Sequence, residues 1–145
     1  MDRPALPLVV GLTFGIVLGA VRGVQQYAPL LFERPTSVPL GWLLFAVGVA
    51  AVFVAPLGAA VAGYWLGGRL DVPRDWPSAT ALVAVGAFVG ALVGFGGLIA
   101  AATSDGSMTS SPPFAVVVGW VAVVRALDVA VPALAGACVR ALRQT

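Results

Sequence analysis

Lysine, histidine and asparagine are absent from the 145 residues, and cysteine occurs once. Without histidine the chain lacks the commonest zinc and iron ligand, and it cannot build a Ser–His or Cys–His nucleophile. The lone Cys138 has no intrachain disulfide partner and reads as a small apolar helix residue. Charge is scarce too, at 10% of residues, where soluble globular chains carry about 25%. All eight basic residues are arginines, spread singly, against the acids Asp2, Glu33, Asp71, Asp75, Asp105 and Asp128. The net charge of +2 therefore forms no basic run that follows a phosphate backbone, and nucleic acid is not an expected partner. With no nucleophile–base or metal constellation, neither an enzyme nor a bound metal or cofactor is expected.

What the chain has is apolar length. Apolar residues make up 60% of it, and they gather in four stretches, 5–24, 40–68, 79–102 and 113–139. Each covers the roughly 20 residues that cross a bilayer core as a helix. Barrel strands span in about ten residues of alternating polarity, and lipid requires backbone bonding within the segment. The expectation is an all-α membrane protein of one domain, 1–145: a four-transmembrane-helix bundle built of two helical hairpins, with the lipid bilayer as its first partner. Pro39 and Pro112–Pro113 stand where second and fourth helices begin, the latter behind Ser110 and Ser111 as caps. Asp75 or Ser78 would cap the third helix, with Pro77 in its first turn, while Gly67 and Gly68 would close the second. The connection 25–38 reads as the longest loop, with Leu30-Leu31-Phe32 either resting in the interface or folding onto the bundle. The first stretch is longer than a signal-peptide core and no A-x-A site follows it, so a retained helix is expected.

Arginine placement gives a direction. Arg3, Arg69, Arg74, Arg140 and Arg143 fall on the side of the two termini, and Arg22 and Arg34 on the other. The positive-inside rule then places both termini in the cytoplasm, in the cell membrane, with Tyr27 and Trp42 near the outer boundary and Tyr64, Trp65 and Trp76 near the inner one.

Glycine supplies the clearest motif. Gly11, Gly15, Gly19 and Gly23 recur every four residues in the first stretch, a glycine zipper that Gly86, Gly90 and Gly94 repeat in the third. Ala55, Ala59, Gly63 and Gly67 extend the pattern to the second. This spacing puts small residues on one helix face, where close backbone approach replaces the hydrophobic drive that lipid removes. A ribbed face left over would serve a second copy of the chain or another membrane protein. Ribbed first and third stretches, and proline-bearing second and fourth ones, also mark a repeat of two helix pairs in parallel orientation.

The sharpest chemical lead is Arg125 with Asp128 in GWVAVVRALDVAVPALAG. Arg125 lies about 16 Å into the fourth helix, near the bilayer centre. A charge there costs at least about 2.5–3.5 kcal/mol, so it should face protein or water. Three residues apart, the two side chains share a face and can pair. Pro132 cannot donate to the Asp128 carbonyl, and Pro56 leaves that of Val52 free; both are expected to kink their helices. Two readings follow. The pair is self-neutralised and fixes register in a structural, accessory packing subunit, or it is the polar site of a small transporter or channel. No other helix core supplies an obvious ionisable companion.

The segment APLGAAVAGYWLGGRL, residues 55–70, together with the Ala/Val/Gly richness and all-arginine basic set, resembles four-helix membrane proteins of halophilic archaea. In these a similar proline–glycine–G-Y-x-x-G segment closes the second helix; the resemblance implies that fold and no activity. Small multidrug exporters have four helices but need a glutamate in the first, which is missing. Fluoride channels carry G-A-x-x-R in helix one; Gly19-Ala20-Val21-Arg22 is one residue short, and the helix-two asparagine is absent.

Overall fold

The computed structural model describes residues 5–31, 38–69, 72–102 and 112–143. These form α1 (Ala5–Leu31), α2 (Val38–Gly67), α3 (Val72–Ala102) and α4 (Pro112–Leu142), an all-helical four-helix bundle. Each helix contains a stretch long and apolar enough to cross a membrane: Ala5–Gln26, Leu44–Gly67, Arg74–Ala100 and Ala115–Leu142.

The helices outrun the apolar stretches that announced them. α1 continues through Gln25 and Gln26 to Leu31, so half of the expected 25–38 loop is helix, and Leu30 and Leu31 sit in its last turn. α3 begins at Val72 rather than near residue 79, which puts Pro77 inside the helix and Asp75 in its first turn. Ser78 is accordingly no cap; its Oγ donates back to the Asp75 carbonyl at 2.8 Å. The physical reason is common to both: polarity marks where a helix leaves hydrocarbon, not where its backbone bonding stops. α2 does end at Gly67, followed by a tight turn in which Gly68 and Arg69 donate to Trp65 and Leu66 at 3.3 and 2.8 Å. The proposed caps Ser110 and Ser111, Phe32 and the Tyr27 side chain lie outside the described residues.

Packing runs mainly between the consecutive hairpins rather than within them. α1 lies along α3, α2 along α4, and α3 along α4, while α1 touches α2 and α4 sparingly. The ribs explain this choice. Gly11, Gly15 and Gly19 rest on the backbone of Val83, Ala87 and Ala91, and a Cβ on Gly15 would stand 2.8 Å from the Ala87 Cα. Gly86, Gly90 and Gly94 rest reciprocally on the backbone of Leu8, Leu12 and Ile16. The seam loosens at Gly23, which meets the Leu98 and Phe95 side chains instead. On the other seam Gly63 lies on Ala133, Gly67 on Ala137 and Gly136 on Ala60.

These rungs obey a local two-fold relation. A shift of 75 residues turns Gly11 on Val83 into Gly86 on Leu8, and does the same for Gly15 on Ala87 and Gly19 on Ala91. A shift of 73 turns Gly63 on Ala133 into Gly136 on Ala60. Both seams therefore join parallel helices from two copies of one helix-pair unit. Ala59, Ala87, Ala122, Phe95, Ile99 and Val129 are fully buried, and the described residues include no buried polar side chain. Lipid gives helices little reason to separate or join by hydrophobicity, so this small-residue contact is what holds the bundle.

Candidate functional site

On α4, Arg125 Nη1 donates to Asp128 Oδ2 at 2.7 Å, an ion pair across one helical turn. Neither side chain is sealed in: Arg125 keeps 26% and Asp128 42% of its surface. Pro132, inside α4, offers no N–H to the Asp128 carbonyl.

Arg125 is not alone on its free side. It lines a cavity of about 460 Å³ between α1, α2 and α4, and Arg22 and Gln25 of α1 line the same space. That is within the roughly 300–1,000 Å³ of small-molecule sites. The remaining walls are apolar: Leu18 and Val21 from α1, and Leu44, Phe45, Val49, Ala51 and Val52 around Gly48 from α2. Gly48 leaves room for the Gln25 amide, which a Cβ there would displace. Gln25 Nε2 in turn donates to the Leu44 carbonyl at 3.3 Å, a bridge between α1 and α2 at the cavity wall. Arg22 is exposed and has no carboxylate partner among the described residues. Among the described residues, two guanidinium groups and one carboxylate leave the locus with one positive charge. Pro56, inside α2, frees the carbonyl of Val52, another lining residue.

The sequence grouped Arg125 with Asp128, and those two do meet; it placed Arg22 at a helix boundary and gave Arg125 no ionisable companion. Arg22 lines the same cavity as Arg125, and the continuation of α1 beyond Val24 adds Gln25 to that wall, while the apolar span still ends at Gln26. Leu18, Val21, Arg22 and Gln25 then occupy one helical face, at spacings of three, four and seven from Leu18. That periodicity was visible; the helix beneath it was not.

Elsewhere the chain offers less. At the opposite end Arg140 donates to the Tyr64 hydroxyl at 3.1 Å and lies 5.0 Å from its ring centre, with Arg143 at 6.0 Å. Arg69 stacks on Trp65 at 3.8 Å. These are cations placed at the C-terminal ends of α2 and α4, where the helix dipole favours them. A crevice beside Asp75 and Trp76 measures about 30 Å³, too little for more than a water or two. Cys138 is exposed on α4 and free. No protein-family model, curated protein or solved structure matches the chain.

Proposed function

We propose that the protein binds an anion within the membrane, as a small transporter does, at Arg125 and Asp128 together with Arg22 and Gln25. One observation carries this reading: polar side chains from two helices line a single cavity in an otherwise apolar bundle. Asp128 holds the Arg125 guanidinium in place and offsets its charge, so Arg22 supplies the uncompensated charge for a ligand. Intramembrane arginines facing a cavity mark ligand paths because such a charge is costly anywhere else. The arginine bias sets the orientation proposed with it: both termini in the cytoplasm of a cell membrane, and the cavity in the outer half.

Thermal melting in phosphatidylcholine nanodiscs tests the site with acetate, inorganic phosphate, decanoate and decyl phosphate at constant ionic strength. At least one anion should raise the melting temperature of the wild type by several degrees. Arg22→Gln, and the neutral pair Arg125→Gln with Asp128→Asn, should lose most of that rise. A panel that shifts all three proteins equally would remove the site.

A structural, accessory role has a narrower basis than the glycine ribs promised. Both ribbed seams are filled from within the chain. Exposed apolar residues remain on all four helices for a second copy or another membrane protein, and the face of α2 with Phe53, Leu57 and Val61 is one such surface. Dilution-dependent crosslinking through that face, with an empty anion panel, would favour the accessory reading.

A further inference from the structure

The two-fold packing of the repeats is not matched by two-fold chemistry. The residues standing 75 after Arg22 and Gln25 are Gly97 and Ala100, and the residue standing 73 before Arg125 is Val52. Every polar member of the cavity is thus replaced by an apolar or side-chain-free residue in the related half. The helices differ in the same way: α3 and α4 close on one another, whereas α1 and α2 stand apart and leave the cavity between them. A fold that merely tolerated a void would carry it in both halves. Here the gap and the charges occur together, once.

Its surfaces are divided by polarity. Arg22, Gln25 and Arg125 supply donors; Leu18, Phe45 and Val49 supply an apolar wall. The lining stretch of α2 from Leu44 to Val52 is about 12 Å long. Phe45, Val49 and Val52 line the cavity and remain exposed, so its α2 wall is not closed over by protein and leaves a side on which a chain from the lipid could enter. An aqueous inorganic anion would use the guanidinium groups and leave that wall unfilled. A neutral lipid tail would fill the wall and leave the Arg22 guanidinium without an anionic partner to accept its hydrogen bonds.

We propose that the cavity takes a single-tailed anionic amphiphile from the lipid, its headgroup on Arg22 and Arg125 and its tail along the α1–α2 gap. The proposal rests on the anion-site reading above and adds the ligand's class and route. Headgroup and tail each contribute, so affinity should exceed that of either part alone.

The experiment compares decyl phosphate, inorganic phosphate and decanol on the full chain in phosphatidylcholine nanodiscs, reading half-saturation from the melting shift. Decyl phosphate should saturate at a concentration at least tenfold lower than inorganic phosphate, and decanol should give no saturable shift. Arg22→Gln should weaken decyl phosphate at least tenfold; Arg22 is exposed, so this variant keeps its packing. Ala51→Phe should fill the tail space, and bring decyl phosphate down to the level of inorganic phosphate without changing the latter. Equal binding of the two phosphates would overturn the amphiphile and leave a free-anion site standing. Equal shifts from decyl phosphate and decanol, unchanged in Arg22→Gln, would overturn both the amphiphile and the anion site. So would the absence of any shift.

Discussion

An arginine ten residues into the span of α4 is about 15 Å from its end, and hydrocarbon tolerates it only beside a counter-charge. Asp128 provides that charge 2.7 Å away, at the cost of holding two partly exposed side chains in one geometry. Removing either leaves the other unpaired. Arg125→Ala and Asp128→Ala are each expected to cost about 2–3 kcal/mol, less whatever the cavity's openness to water returns. The double alanine variant should lie closer to the wild type, with a coupling of about 1 kcal/mol or more in the thermodynamic cycle. Additive losses measured by unfolding in mild detergent would mean that each residue leans on something else, with Arg22 the first place to look for Asp128. The pair was legible in sequence because three residues on one helix fix their own geometry. Arg22 and Gln25 were not, because their meeting with Arg125 depends on where α1 and α2 sit relative to α4, which no local spacing encodes.

Helix choice of neighbour follows from the ribs. A glycine every fourth residue says that a helix needs another backbone against it, but not whose. α1 and α3 select each other because both carry the period, so Gly11, Gly15 and Gly19 and their counterparts Gly86, Gly90 and Gly94 take the partner's carbonyl ridge without a side chain between. α2 pairs with α4 on a looser set, in which Gly136 was hidden within an alanine-rich run. Substitution should separate working glycines from idle ones. Gly15→Leu or Gly90→Leu forces apart backbones already in contact, and about 3 kcal/mol or more of destabilisation is expected. Val9→Leu, on an exposed position, should be near neutral. Gly97→Ala is the opposite case: nothing lies within 4 Å of its missing Cβ, so alanine should stabilise α3 by about 0.5–1 kcal/mol through helix propensity. Similar melting temperatures for Gly15→Leu and Val9→Leu would show that the ladder is not what holds the seam. Helix ends were the part of the fold least legible from composition, since Gln25 and Asp75 report on the membrane border and lie within continuous helices.

At the scale of the molecule, the parallel seams fix how the repeats enter the membrane. α1 and α3 run the same way, as do α2 and α4, so the helix ends at Ala5, Gly67, Val72 and Leu142 share one side. Arg69, Arg140 and Arg143 gather there around Tyr64 and Trp65, and Arg74 opens the third span on the same side. At the other face Arg22 turns into the cavity, where it is a ligand group in waiting more than a topological anchor. Discounting it strengthens the arginine bias behind the proposed orientation, since Arg22 was one of the two arginines the sequence counted against it. A single-cysteine series in a Cys138→Ser background measures the outcome. In whole cells an impermeant maleimide should label Ser107→Cys and spare Arg74→Cys, and permeabilisation should expose the latter. The reverse pattern would invert the bundle without altering its packing, and would move the cavity to the cytoplasmic leaflet. An amphiphile would then be drawn from the inner monolayer, so the labelling result also decides which leaflet must be loaded when uptake into the cavity is assayed.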